Sequence, residues 1–508
     1  MILFESTLTL LLVAIVLLQL ARKLSVPYPT MLALAGVIVA ALPWTPDFAI
    51  EPHVALALFI SPALLDAGYD LPPRTLRRDW VPLLALAAAA VVVTTFAVAW
   101  LGVAWIGLQW PVAIALGAIV APPDAAAASA MLSRLDLPRR TVAVLKGESL
   151  LNDAVALLLF GAAVGVVSPE VTLRQLVPQL ALAAPGGVVV GVVIAKLYEL
   201  GSKPLSGTLG GTLAEFVSTF GVWLLAERLH VSPVLAVVAY AMVLAKVVPD
   251  HQSARARVHS YAVWEAVVFT LNVLAFMLVG LQARATRLRG TELVEALTFA
   301  AAVLLVVIVV RVAWVMLYNR VRYIFRGKGP VSTAAQGLVV GWCGMRGLVT
   351  LAAALALPEA FPHRDLVLLS ALGVVLGTLI LQGLTLGPLV RLLKFGKDES
   401  FDEELSTTRV TLLDTALAEL KGRPGEAARR LAETYRMERA VSAKGEHPRE
   451  VSEIDGLRRE IVAKKRERLA ALRHAGTIED DIFHALEQEL DFAELASSPP
   501  TEGEILEE

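Results

Sequence analysis

The chain has 508 residues, 56 % of them hydrophobic and only 18 % charged. Soluble domains carry about 25 % charged residues, so a water-soluble fold has nowhere to place this much apolar side chain, and lipid must solvate part of it. The formal net charge of −2 gives no reason to expect a nucleic-acid partner, and the single cysteine, Cys343, excludes an internal disulfide framework and a thiolate zinc cluster.

A membrane-spanning helix needs about 20 mostly apolar residues. In chain order thirteen such runs are predicted, near 5–21, 29–43, 52–69, 80–101, 111–132, 141–166, 176–200, 210–229, 232–248, 259–283, 292–318, 333–357 and 366–395. The first is read as a span because Thr7 to Leu20 has no basic lead-in and no small-residue cleavage site. The second is short, and the division between the eighth and ninth rests on His230 and Pro233. The expected class is all-α and polytopic. Loop Lys and Arg residues set orientation. With the N-terminus outside, Arg22, Lys23, Arg134, Arg139, Arg140, Arg320, Arg322 and Arg326 fall on the cytoplasmic side, whereas Arg284, Arg287 and Arg289 oppose this choice. The majority predicts a multi-pass plasma-membrane protein with its N-terminus out and C-terminus in.

Composition changes sharply near Lys397. Residues 1–396 are therefore read as the membrane domain and 397–508 as a cytoplasmic, charged helical tail. The tail has amphipathic patterns with dense mixed charge, breaks at Pro424 and Pro448, and a terminal SSPPTEGEILEE expected to be disordered. No phosphate loop, metal cluster or catalytic motif occurs in it, and neither a catalytic residue nor a cofactor is predicted anywhere in the chain.

Ionisable groups at mid-membrane cost about 2.5–3.5 kcal/mol each and are functional candidates by default. The predicted spans hold Asp66, Asp124, Glu148, Asp153, Glu215, Glu265 and Arg346. Left unpaired, the carboxylates would cost on the order of 15 kcal/mol, so they must pair, bind ions or sit protonated. The densest group is Gly147-Glu148-Ser149-Leu150-Leu151-Asn152-Asp153. Residues four apart share a helix face, which puts Ser149 with Asp153 and Glu148 with Asn152. The first stripe suits cation coordination; the second suits an ion pair, with Arg346 as the partner, plus an amide. Asp66 is also open to a capping role near the interface. Glu265 and Asn272, seven apart, read as helix-packing contacts, and Glu215 as a partner for a neighbouring polar helix.

Two spans are interrupted. Pro122 and Pro123 remove backbone donors and free carbonyls just before Asp124. Seven spans later Gly341, Gly344 and Gly347 favour a second break around Arg346. Broken helices in corresponding halves are the strongest sequence pointer to a transporter site at the midplane. An ordinary proline kink is the plainer alternative.

The strings PPDAAAASAMLSRLDLPRR, GESLLNDAVAL and GWCGMRGLVTLAAALALP together resemble bacterial antiporters of the monovalent cation:proton antiporter 1 family, the NhaP-like group related to eukaryotic sodium/proton exchangers. The resemblance runs over roughly residues 5–395. It implies thirteen helices, inverted repeats with crossed broken helices, a core domain moving against a dimerisation domain, and a homodimer. It also implies electroneutral exchange of one Na+ (or K+, Li+) for one H+ in pH and cation homeostasis. By this resemblance Asp153 is the cation- and proton-binding carboxylate, and Na+ or K+ sits at Asp153 and Asp124. Ser149 and Asp66 match coordinating positions, Asn152 stands where electrogenic relatives carry a second acid, and Glu148 and Arg346 match a structural ion pair. One departure bears on selectivity: many relatives read Thr-Asp-Pro where this chain has Pro123-Asp124-Ala125. A K+/H+ antiporter of the same fold is therefore the main alternative. A cation channel lacks a filter-like segment, and an intramembrane aspartyl protease would need a GxGD segment that is missing here.

Overall fold

A computed structural model describes every residue except 1, 25, 41–50, 70–80, 82, 84, 125, 126, 128–138, 168–172, 203, 204, 206, 207, 252, 253, 283–289, 327–333, 396–399, 444–452, 476, 478, 479 and 498–508. Arg134, Arg284, Arg287, Arg289, Pro448 and the end of the tail lie outside the described residues. The chain divides into two compact units, Met1–Lys397 and Asp398–Glu508.

The first unit holds helices α1 (Ile2–Leu24), α2 (Tyr28–Ala40), α3 (Pro52–Tyr69), α4 (Ala90–Ile106), α5 (Trp110–Val120), α6 (Arg139–Val167) and α7 (Leu173–Ser202). After them come α8 (Leu209–Arg228), α9 (Pro233–His251), α10 (Ala254–Leu281), α11 (Thr291–Arg326), α12 (Ala334–Trp342), α13 (Leu348–Leu355) and α14 (Arg364–Leu393). Among the described residues no strand occurs. Every predicted apolar run contains a helix, but two are cut short. Helix α5 of the fifth stops at Val120, before Pro122 and Pro123, and the twelfth is split into α12 and α13. Among the described residues six helices are long and apolar enough to cross a membrane, and α2, α3, α5 and α9 contain shorter apolar segments. Pro233 starts α9 just after His230 adopts a left-handed conformation (φ 55°), so the eighth and ninth runs are separate helices.

Burial separates inner from outer helices. In the apolar window of α14, 67 % of residues are buried, against 22 % in α7. Leu197 and Leu200 of α7 are 58 % and 74 % exposed; such surfaces are stable only where lipid or another protein covers them. Inside the unit, helices approach through small residues, as expected where hydrophobicity alone cannot drive helix against helix. A Cβ on Gly280 of α10 would lie 2.2 Å from the Ala33 carbonyl oxygen of α2, and one on Gly36 would lie 2.4 Å from that of Met277. These two backbones are therefore in contact. A π-helical turn, Ala85–Ala89, leads into α4. The Ala85 carbonyl of this turn accepts a hydrogen bond from Trp314 Nε1 of α11 at 2.9 Å.

The second unit comprises α15 (Ser400–Leu420), α16 (Glu426–Ala443), α17 (Glu453–His474) and α18 (Asp480–Ser497). The expected break at Pro424 is present, flanked by Gly422 and Gly425 at φ 90° and 118°. Helices α15 and α16 run antiparallel. Ser406 Oγ donates to the Ser442 carbonyl, and Arg439 Nε meets Asp414 Oδ1 at 2.5 Å. Hydrogen bonding to Arg439 holds the Asp414 carboxyl below its ordinary range. Arg466 of α17 bridges Asp491 and Glu494 of α18 at 2.8 and 2.6 Å.

Candidate functional site

The site begins where two helices stop. Pro122 and Pro123 have no N–H to give, so α5 cannot continue. The Asp124 N–H turns instead to the Met345 carbonyl, at 2.7 Å. Met345 lies in the second break, residues 343–347, between α12 and α13. The two interrupted segments thus cross and hold each other by main-chain contacts.

Each break also supplies the charge that the other's helix end requires. Asp124 Oδ2 accepts from the Leu348 N–H at 3.0 Å, which puts a carboxylate on the positive N-terminus of α13. Arg346 donates from Nε to the Val120 carbonyl at 3.0 Å and from Nη2 to the Ala121 carbonyl at 3.1 Å, which puts a cation on the negative C-terminus of α5. Arg346 also binds the Gly344 carbonyl, and its own N–H donates to Thr378 Oγ1 of α14 at 3.0 Å. Gly347 leaves the room this carboxylate needs: a Cβ would lie 1.5 Å from Asp124 Oδ2. Gly347→Ala is accordingly expected to push Asp124 off the α13 terminus, lowering both melting temperature and ion exchange. An alanine variant that melts and transports like the parent would contradict this contact.

The third component is α6. Its polar run is buried, with Glu148 1 %, Ser149 6 %, Asn152 0 % and Asp153 6 % exposed. The two stripes diverge as helical spacing requires. Ser149 and Asp153 face a cavity of about 50 Å³ that Asp124 also lines, together with Phe59 and Ala63 of α3, Asn272 of α10 and Leu348 of α13. That volume has room for a small cation together with several waters. Asp153 Oδ1 is fully buried with no hydrogen-bond partner among the described residues. Asn152 is used differently: its Nδ2 donates to the Pro123 carbonyl at 3.0 Å and so ties α6 to the first break.

Four expectations need correction. Glu148 does not pair with Arg346. Its Oε2 accepts from Arg311 Nη2 of α11 at 3.0 Å, and Arg311 Nη1 binds its other oxygen. Arg346 is taken up by carbonyls of the breaks, while Glu148 faces α11. Gly341 is not a break residue but lies in the last turn of α12, where a Cβ would come 3.1 Å from Val312 Cα of α11. Gly344 does lie in the break, and its missing side chain makes room for both guanidinium groups, Arg311 Nε at 2.6 Å and Arg346 Nη1 at 3.0 Å from a built Cβ. Asp66 is not among the residues that line the Asp153 cavity; it borders a second one. Glu265 is exposed, so it does not act with Asn272 as packing glue. Arg311 and Asn272 are the residues that sequence reasoning missed at the site. Arg311 carried a usable signal, as a single base within the apolar run VLLVVIVVRVAWVML.

Comparison with known proteins identifies the fold and the family. A solved sodium proton antiporter from Methanocaldococcus jannaschii shares the fold with TM-score 0.61 and 19 % identity, covering 77 % of this chain and 99 % of that one. An uncharacterized Na(+)/H(+) exchanger of Mycobacterium tuberculosis is 29 % identical over 515 residues, 96 % of this chain and 94 % of that protein. A sodium, potassium, lithium and rubidium/H(+) antiporter of Bacillus pumilus is 29 % identical over 75 % of this chain and 60 % of that protein. The family model for the transmembrane sodium/hydrogen exchangers matches residues 8–392. That match extends from within α1 to the end of α14, and the chain belongs to the sodium/hydrogen exchanger family.

Proposed function

We propose that the chain exchanges a monovalent cation, Na+ first, for H+ at Asp153, one for one. The observation that supports this most directly is a carboxylate oxygen buried beside a cavity with no hydrogen-bond partner among the described residues. A carboxylate so buried favours neutralisation. A proton or a cation can neutralise it, but the two compete for one group. If the site crosses only when neutral, the two fluxes are coupled. Hard cations take oxygen ligands. Asp153, Ser149 and Asp124 supply them, with the amide of Asn272 at the same cavity. Asn152 is neutral and engaged at Pro123, so a single carboxylate of α6 titrates in the cavity, which supports electroneutral exchange.

In this reading the protein is a plasma-membrane homodimer with its N-terminus outside and its tail cytoplasmic. Support comes from the loop Lys and Arg bias for orientation and from the family resemblance for the dimer. Alternating access comes from rocking of one helix bundle against the other around the crossed breaks. K+/H+ exchange is the second reading, favoured by Pro123 at the position before Asp124 and by the potassium in the name of the Bacillus relative. Everted vesicles carrying a pH dye, titrated separately with Na+, K+ and Li+, test both. The expected result is cation-dependent recovery of the dye signal with no net charge movement. Recovery that dissipates membrane potential would replace the exchanger with a channel or an electrogenic carrier.

A further inference from the structure

The cavity at Asp153 lies on a seam between two groups of helices. Ser149 and Asp153 of α6 and Asp124 at the first break form one side. Asn152 ties α6 to that break and Glu148 ties it to α11, so these side chains belong to one body. Helices α3 and α10 form the other side. There α10 is held to α2 by the backbone contacts of Gly280 with Ala33 and of Gly36 with Met277, and it packs on α3 as well. To the cavity α3 presents only apolar side chains, Ala63, Leu64 and Ala67 among them, while α10 presents Ala275, Phe276 and Asn272. Among the described residues Asn272 is thus the one polar side chain that the second body brings to the carboxylates of the first.

An amide inside a membrane protein ordinarily acts as glue, hydrogen-bonding to a neighbouring helix. Asn272 does not act so: it is half-buried and makes no hydrogen bond to the described residues. A polar group set into an apolar wall without a partner costs free energy, so its place is explained by what the cavity holds. Across the seam Asp153 Oδ1 is fully buried and also without a hydrogen-bond partner among the described residues. Two polar groups without partners, a carboxylate oxygen and an amide, therefore line one space from opposite bodies. A hard monovalent cation takes both kinds of oxygen as ligands.

We infer that Asn272 is a cation ligand supplied by the body against which Asp153 moves, so that it strengthens cation binding at one face of the membrane only. Alternating access shifts one body past the other. Ser149 and Asp153 travel with α6, whereas Asn272 stays with α2 and α3. The cation gains the amide oxygen when α6 and α10 are apposed as they are here, and takes water in its place when they are not. A proton binds the Asp153 carboxylate directly and has no need of the amide. Loss of Asn272 therefore weakens the cation against the proton. This rests on the exchange reading at Asp153.

Exchange in proteoliposomes, with Na+ titrated separately at each face, tests the inference. Asn272→Leu is close in size and has no ligand oxygen. It should raise the half-saturating Na+ concentration several-fold at one face and leave the other nearly as it was, with a smaller effect on the rate at saturating Na+. The pH profile at the affected face should move upward, because a more weakly held cation needs fewer competing protons. Asn272→Ser keeps an oxygen of shorter reach and should fall between parent and Asn272→Leu. Melting curves in detergent confirm folding, and Asn272→Ser carries the test if Asn272→Leu does not fold. An unchanged half-saturating concentration at both faces in a folded variant would overturn the ligand while leaving exchange at Asp153 intact, as expected of an amide that merely faces water. An equal rise at both faces would overturn the one-sided contact. Absence of cation-dependent exchange in the parent protein would remove the exchange reading itself.

Discussion

Asp153→Asn is expected to bring cation-driven proton movement down to background while leaving the protein folded. The substitution preserves shape but removes the titratable charge. Few native contacts are at stake, because Asp153 Oδ1 has no hydrogen-bond partner among the described residues. An oxygen without such a partner contributes little to holding the helices together, and the ionised form is a burden where it is buried. Replacing it with a neutral amide should therefore keep or slightly raise the melting temperature. Transport, by contrast, needs a group that can be neutralised by either ion, and asparagine can exchange neither a proton nor a charge. Asp124 provides the internal contrast. Its Oδ2 is engaged by the Leu348 N–H and its main-chain N–H by Met345, so changes at Asp124 should disturb the crossed breaks as well as the ion. Everted-vesicle exchange together with a detergent melting curve tests Asp153→Asn. Undiminished recovery of the pH signal in a folded variant would move the exchange carboxylate elsewhere.

Much of this arrangement was legible in residue order, for identifiable reasons. Lipid imposes long apolar runs, so the helices could be located. Proline cannot donate, so the first break was visible at Pro122 and Pro123, and the 3.6-residue period separated Ser149 and Asp153 from Glu148 and Asn152. What residue order could not supply was the partner across space. Glu148 had two arginines within reach of the fold, and only the placement of α11 beside α6 decides for Arg311. Arg346 looked like a partner for an acid because it is a buried base, yet backbone carbonyls, which carry no side-chain signature, take it up. Gly347 was readable as a break residue, but its role as space for Asp124 depends on a segment more than 200 positions away. Asp66 fell outside the exchange cavity for a related reason: positions 63, 64 and 67 face one cavity and 65, 66 and 69 the other, a division set by neighbouring helices rather than by α3 itself.

The second large effect is expected at Arg311. Its side chain is 2 % exposed and that of Glu148 1 % exposed, and the two are joined by paired contacts. Taking two such charges out of water is costly, and their mutual attraction offsets that cost only while both are present. Arg311→Ala strands a buried carboxylate on α6, and the expected loss is about 3–5 kcal/mol, enough to impair folding in the membrane. Glu148→Gln combined with Arg311→Met removes both charges. It should recover a substantial part of that loss, because no ion is left without a partner. Melting of the single and double variants in detergent gives the coupling directly, and additive effects would mean that the pair is not energetically joined. Arg346→Ala should behave differently. No acid is stranded, but the Val120 and Ala121 carbonyls lose their donors and the C-terminus of α5 loses its compensating charge. A double-mutant cycle between Glu148 and Arg311 should therefore show strong coupling, whereas one between Glu148 and Arg346 should show little. If the larger coupling fell on Arg346, α6 would be tied to the second break rather than to α11. That difference has a mechanical consequence: pinned to α11, the helix carrying Asp153 moves with that helix when the bundles rock.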